Sequence, residues 1–305
     1  MINFLRLIRF PNLLIIILTQ ILVRYCLIIP AFKTEYFITG VFPTYLTDIN
    51  FFLLVCSTVI IAAAGYIIND YFDIQEDEIN KPGKNIVGKS LSKPMAKNLF
   101  FILSSVGVAF GFYVAVKISK PVMGLIPLFS AFSLWMYSSH FKKRLLSGNI
   151  IVSLLCALTI LIVGLYEPQF YKNFTFLIWF AIPAFILTLI RELIKDMEDI
   201  NGDELFQCKT VPIVLGISKT KVMVLFLILL LSSYLSYILY EYFYANTVIS
   251  FWYLISLFLI PIAGLTYLVI TSGEKKDFYY ASLSAKIIML GGIFSMYFFW
   301  FYFLK

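Results

Sequence analysis

Charge is what this chain of 305 residues has least of: 13% of its residues are Asp, Glu, Lys or Arg, where soluble globular proteins carry roughly 25%. Apolar residues make up 61%, and the mean hydropathy is +0.91. That combination excludes an ordinary soluble domain and leaves a polytopic membrane protein. Cysteine is scarce too. Cys26, Cys56, Cys156 and Cys208 stand far apart and form no C-x-x-C pair, so neither a zinc site nor a disulfide framework is offered, and the four read as small buried side chains. Histidine occurs once; His140 reads as an interfacial residue rather than a general base. The net charge of +7 would suit a nucleic-acid partner in a soluble protein. Here it is the ordinary excess of Lys and Arg in loops that face anionic lipid, and no nucleic acid is expected.

A spanning helix needs roughly 20 mostly apolar residues. Nine runs meet that need: 12–31, 49–69, 98–117, 121–139, 149–166, 174–194, 222–242, 248–272 and 284–304. The expected fold class is therefore all-α, with nine transmembrane helices, and 1–305 reads as a single transmembrane domain. The first run is long enough to remain as a helix, so no cleavable signal peptide is needed. With the amino terminus inside, 18 of the 24 Lys and Arg fall on the inner side and 6 on the outer. The amino terminus is thus placed in the cytoplasm and the carboxyl terminus outside a cell membrane. Pro11 suits the first turn of a helix, and Arg9 reads as a marker of the inner interface. Pro82 and Gly83 stop any helix. They open a basic loop reaching Lys97 that is long enough to be functional.

Against this background most of the 17 carboxylates gather in two places. Both contain D-x2-D-x3-D: Asp70, Asp73 and Asp77, then Asp196, Asp199 and Asp203. The first group ends the second expected helix and the other ends the sixth, so both fall on the cytoplasmic side. The spacing reads as a weak internal repeat, a four-helix unit used twice plus one closing helix. Steps of three and four residues return to one helix face. Asn69, Asp73 and Asp77 therefore form a stripe with Asp70 at its edge, and Glu192, Asp196, Asp199 and Asp203 form its counterpart. Asn201 and Gly202 mark where the second helix is expected to end early. Carboxylates this close repel one another unless a cation intervenes. Mg2+ takes oxygen ligands and commonly bridges carboxylates to a phosphate, so the two stripes read as holders of Mg2+ with a diphosphate between them. Lys142, Lys143 and Arg144, and Arg191 with Lys195, are candidates for the phosphate oxygens that metal leaves uncovered. Positive-inside bias explains the first three equally well. One acidic cluster at a membrane surface is usually a solvated loop. Two with one spacing on one side weigh against that, and juxtamembrane carboxylates point to function.

These residues resemble the UbiA superfamily of membrane prenyltransferases. Asn69, Asp70, Asp73 and Asp77 match its first motif, N-D-x-x-D-x-x-x-D, and Asp196, Asp199 and Asp203 match its second. The resemblance covers nearly the whole chain. It implies a nine-helix UbiA-type bundle and Mg2+ as cofactor, held by Asn69, Asp70, Asp73, Asp77, Asp196, Asp199 and Asp203. It also implies a prenyl diphosphate donor and a lipophilic acceptor reached through membrane lipid. Asp73, Asp77, Asp199 and Asp203 are then the catalytic acids, and Asn69, Tyr137, Lys142, Arg191 and Lys195 touch the diphosphate. A few of the many Phe and Tyr would line a prenyl tunnel. Segments 191–203 and 209–216, with Tyr137-Ser138, Lys142-Lys143 and Gly148-Asn149, look most like the branch that prenylates geranylgeranylglyceryl phosphate, with geranylgeranyl diphosphate as donor. An aromatic quinone precursor, of hydroxybenzoate or dihydroxynaphthoate type, is the alternative acceptor. A cation-coupled transporter is the alternative of another class; against it, the acids sit at one surface rather than at the midplane. A phosphotransferase of the CDP-alcohol type is excluded by the absence of D-G-x-x-A-R.

Overall fold

In hydrocarbon every backbone N–H and C=O must find an internal partner, and a helix satisfies them within one segment. The computed structural model describes residues 2–31, 46–80, 83, 85–167, 174–243 and 255–301, and their regular elements are helical. In order they are α1 (Ile2–Leu7), α2 (Phe10–Leu22), α3 (Asp48–Phe72), α4 (Ile74–Asn80), α5 (Lys93–Lys117), α6 (Leu125–Met136), α7 (Ser147–Leu165), α8 (Phe174–Glu198), α9 (Ile200–Leu205), α10 (Val211–Leu215), α11 (Ile217–Phe243), α12 (Ile260–Thr271) and α13 (Lys275–Phe299). Among the described residues the one β-type pairing is an isolated bridge between Val87 and Leu91.

Eight helices among the described residues are long and apolar enough to cross a membrane: Phe10–Ala31, Asp48–Phe72, Lys93–Lys117, Pro121–Phe141, Ser147–Leu165, Thr175–Glu198, Ile217–Ile238 and Lys275–Phe299. The expected run 248–272 begins outside the described residues; its described part is a π-helical turn, Ile255–Leu259, continued by α12. The end of run 284–304 lies outside them too, as do Lys81, Pro82 and Lys84 of the basic loop. The helix starts are built from polar caps. Thr47 Oγ1 accepts from Asn50 N at 3.3 Å ahead of α3, and Ser92 Oγ accepts from Met95 N at 3.4 Å ahead of α5. Each bond satisfies a donor that the first turn would otherwise leave open.

The internal repeat is visible in the helix bounds. Helices α3 and α8 are both 25 residues long, and their starts, Asp48 and Phe174, are 126 residues apart. Both stop at the second Asp of their motif and resume as a short helix, α4 or α9. The ends of α5 and α11, Lys117 and Phe243, keep the same interval of 126. Among the described spans the one this interval leaves without a counterpart is the first, Phe10–Ala31, in place of the expected closing helix.

The chain divides into two compact units, one comprising Met1–Lys142, Leu158–Ile178 and Met296–Lys305, the other Lys143–Ala157 and Trp179–Ser295. In the first unit α3 packs chiefly along α5, then α6. Small residues let helices approach closely in lipid, and Gly107 and Gly111 supply that face of α5. Ser57 Oγ donates to Gly107 O at 2.6 Å, and buried Tyr166 donates to Gly111 O at 3.2 Å and Met123 O at 2.9 Å. A Cβ on Gly111 would stand 2.3 Å from Pro127 Cγ and 2.8 Å from Ser57 Oγ. Gly111→Ala is therefore expected to cost about 1–3 kcal/mol, read as a lower melting temperature in detergent. Gly264→Ala, with nothing within 4 Å of its Cβ, is the control expected to be silent.

Each motif-bearing helix is anchored by an apolar core. Leu7, Ile8, Leu13, Ile67, Val87 and Ala96 join the amino-terminal segment and the loop before α5 to the end of α3. In the second unit Leu187, Ile190, Leu193, Ile194 and Met197 of α8 pack with Val224 and Ile228 of α11, Leu265 of α12 and Phe278 of α13. Fixing one face of α3 and of α8 in a core leaves the carboxylates on a rigid support.

Candidate active site

Asp73 stands where α3 stops, with φ −88 and ψ 4. Helical hydrogen bonds nevertheless run through the break, from Asp73 N to Asn69 O at 3.0 Å and from Asp77 N to Asp73 O at 2.8 Å. The stripe of Asn69, Asp73 and Asp77 expected from the spacing therefore survives a change of helix. Asn69 Nδ2 donates to Asp73 Oδ2 at 2.6 Å, and Lys142 Nζ donates to the same oxygen. Lys142 Nζ also lies 3.8 Å from Glu76 Oε2. The Asp73 and Glu76 side chains are 3% and 4% exposed and that of Lys142 is 29% exposed. Burial pushes the Lys142 ammonium down, but the Asp73 carboxylate, with Tyr137 and Glu76, outweighs it and holds the pKa above the ordinary lysine range. Lys142 follows the π-helical turn Tyr137–Phe141, and its N–H bonds Tyr137 O at 2.9 Å. Such turns occur often at functional sites; this one places Tyr137 one turn before the lysine.

Asp70 has its own cation. Arg9 Nη2 is 3.1 Å from Asp70 Oδ1, and its guanidinium carbon lies 4.8 Å from the Tyr66 ring centroid. Arg9 joins α1 to α2 at φ 49 and ψ 52, a left-handed conformation uncommon outside glycine. The residue that marks an interface in the sequence is thus a structural part of the first acid row.

The second row repeats the local geometry. Asp199 breaks α8 with φ −98 and ψ 7, two residues before the expected stop at Asn201 and Gly202. Asp199 N bonds Lys195 O at 2.9 Å, and Asp203 N bonds Asp199 O at 3.1 Å, so buried Asp203 rides on α9 in helical register. Asp196 Oδ2 accepts from Asn149 Nδ2 at 2.8 Å. Arg191 Nη1 lies 2.6 Å from Glu192 Oε1. Behind the row the chain turns at Gln207, φ 54, where Cys208 N bonds Asp203 O and Lys209 N bonds Lys143 O, both at 2.9 Å. Asp199 Oδ1 is buried and has no hydrogen-bond partner among the described residues. A buried carboxylate oxygen without a donor is costly, and it is the kind of atom that a hard divalent cation completes. The donor set of each row is oxygen throughout, which suits such an ion. His140, exposed, has its Nδ1 2.6 Å from Ser139 Oγ.

The structure thus groups Asn69, Asp70, Asp73 and Lys142 within the first unit, with Asp77 one turn further on. In the second unit it places Asp196, Asp199 and Asp203 along one helix and its short continuation, with Arg191 and Lys195 on the same helix. Sequence reasoning missed Glu76 and the role of Arg9. The signal for Glu76 was its step of three residues from Asp73; for Arg9, 61 positions from its partner, there was none.

The profile of the UbiA prenyltransferase family matches residues 28–287, and this multi-pass, all-helical membrane protein belongs to that family. Two curated relatives are named digeranylgeranylglyceryl phosphate synthase. The one from Saccharolobus solfataricus is 38% identical over 176 residues, covering 56% of this chain and 59% of the relative. The one from Methanosphaera stadtmanae is 31% identical over 233 residues, covering 76% and 80%. The chain therefore spans less than two thirds of the first relative's length. A solved structure described as digeranylgeranylglyceryl phosphate synthase in membranes aligns with a TM-score of 0.65 at 24% identity, covering 97% of this chain and 98% of that one. A UbiA homolog from Archaeoglobus fulgidus, bound to DMAPP and Mg2+, aligns with a TM-score of 0.57 at 16% identity, covering 97% and 99%. At those identities the two structures establish the shared fold.

Proposed function

We propose that this chain is a Mg2+-dependent intramembrane prenyltransferase. It moves a prenyl group, geranylgeranyl in the first instance, from a prenyl diphosphate to geranylgeranylglyceryl phosphate or a related glycerol phosphate. One observation carries the reading: two acid rows share a spacing and a helix break, and one of them buries a carboxylate oxygen, Asp199 Oδ1, with no hydrogen-bond donor among the described residues. The names of the curated relatives support the acceptor. The DMAPP and Mg2+ of the Archaeoglobus homolog support the donor and the ion.

In this reading Asn69, Asp70, Asp73 and Asp77 of one row, and Asp196, Asp199 and Asp203 of the other, hold the metal. Bound there, Mg2+ supplies charge neutralisation of the departing diphosphate. Lys142, Arg191, Lys195 and Tyr137 take the remaining phosphate oxygens. The C1–O bond of the donor breaks, and the diphosphate leaves with the electron pair. The acceptor hydroxyl oxygen bonds C1 and passes its proton to the departing diphosphate. No side chain forms a covalent intermediate, and apolar surroundings keep water from C1. Residues 1–305 are read as one prenyltransferase domain. The amino terminus and the acid rows face the cytoplasm and the carboxyl terminus lies outside the cell membrane, as the distribution of Lys and Arg supports.

The test is purified protein in liposomes with geranylgeranyl diphosphate and three acceptors: geranylgeranylglyceryl phosphate, hydroxybenzoate and dihydroxynaphthoate. Digeranylgeranylglyceryl phosphate is the expected product. EDTA should reduce it to background, and added Mg2+ should restore it. Product from an aromatic acceptor alone would move the reading to quinone precursors. Cation uptake without transfer, lost in the Asp variants, would make the chain a transporter.

A further inference from the structure

Lys142 Nζ stands beside two buried carboxylates of one helical turn, bonding Asp73 Oδ2 and lying 3.8 Å from Glu76 Oε2. One ammonium leaves this trio with a net negative charge, in surroundings where solvent screens little. Asp73 belongs to the acid row, and Glu76 stands outside its D-x2-D-x3-D pattern. When Asp73 gives its oxygen to a divalent ion, the attraction that holds the lysine there is lost. A lysine without a second anchor then becomes a like charge beside that ion, and competes with it for Asp73.

We propose that Glu76 is a positioning residue, which retains the Lys142 ammonium while Asp73 binds the metal ion of the prenyl diphosphate. The lysine is thereby kept next to the leaving group without displacing the ion. The inference rests on the reading of the acid rows given above, and it adds to that reading a carboxylate whose partner is the lysine rather than the metal.

The acylation of Lys142 by an amine-selective reagent, followed by mass spectrometry on metal-free protein in detergent, tests the anchor directly. D73N removes the Asp73 charge and keeps its shape. Lys142 is expected to stay protected in wild type, in D73N and in E76Q, and to react about tenfold faster in D73N/E76Q than in D73N, the scale of one lost ion pair of about 1.4 kcal/mol. D73N reacting as fast as the double variant would overturn the proposal. Mn2+ affinity, read by electron paramagnetic resonance, is the second arm and uses variants that leave Asp73 intact. E76Q is expected to bind Mn2+ about tenfold more weakly than wild type, E76D to recover the affinity, and E76Q/K142M to regain it, because the competing charge is gone. An equal loss with Met at 142 would make Glu76 itself a ligand and overturn the positioning role. Wild type that binds no Mn2+ would remove the reading of the acid rows, while the acylation result still decides on Glu76.

Discussion

Asp73→Asn and Asp199→Asn are each expected to lower product formation by about a thousandfold, the upper range for loss of one group that stabilises developing charge, with the helical fold retained. Asparagine keeps the shape of aspartate and removes its charge, so the loss falls on whatever the carboxylate holds. The two variants should separate in stability. At Asp199 the wild-type cost is a buried oxygen without a donor; removing the charge relieves it, and the variant is expected to melt no lower than wild type in EDTA. At Asp73 the carboxylate accepts from Asn69 and Lys142; the substitution takes from the lysine the nearer of its two carboxylates and leaves it Glu76 at 3.8 Å, and the melting temperature is expected to fall. Activity lost without stability lost marks a residue kept for function. Radiolabelled geranylgeranyl diphosphate, product chromatography and thermal melts in detergent make the comparison. Full turnover by either variant would remove its acid row from the mechanism.

The acid rows were legible in the sequence because carboxylates in an apolar chain are conspicuous and because steps of three and four survive a helix break. The break at Asp199 was legible to within two residues, from Asn201 and Gly202, but the one at Asp73 was not. There the chain leaves helical ψ with no neighbouring glycine or proline, and local propensity offers no sign of it. The spans were legible from hydropathy, yet α5 and α13 begin earlier than their apolar runs, at Lys93 and Lys275, since polar first turns extend a helix beyond the hydrocarbon. Pairings between distant residues were hidden altogether. Arg9 and Lys142 each look like ordinary inner-side basic residues, and only folding shows that one serves Asp70 and the other Asp73. The same blindness covers Gly107 and Gly111, whose spacing acquires meaning only once α3 lies against them.

Arg24→Met is expected to destabilise the fold by about 3–5 kcal/mol, the cost of leaving a buried charge without its partner. By sequence Arg24 is one of six outer basic residues; in the structure it is 2% exposed. Its Nη2 donates to Leu46 O at 2.5 Å and to Asp48 Oδ1 at 3.0 Å, and its guanidinium carbon lies 4.5 Å from the Phe51 ring centroid. Its Nη1 is 3.8 Å from Glu167 Oε1, while Glu167 Oε2 accepts from Leu46 N at 2.8 Å. One arginine thus ties the first span to the start of α3 and to the chain just beyond α7. Without it Glu167, 1% exposed, loses the cation beside its carboxylate, and Lys120, whose Nζ donates to the Glu167 main-chain O at 2.8 Å, offsets the loss only in part. Burial already raises the Glu167 carboxyl, against the Leu46 N–H and Arg24, which lower it. Loss of Arg24 raises it further above its unfolded value. A carboxyl shifted that way favours the fold when protonated, so the stability it supplies is greatest at low pH and is lost as pH rises through the raised folded value. The deficit of R24M relative to wild type should therefore shrink as the melt is repeated at lower pH. R24M/E167Q, which removes both charges, should recover most of the loss at neutral pH. If the double variant melts as low as R24M, packing of the arginine on Phe51, rather than its charge, is what this end of the unit depends on.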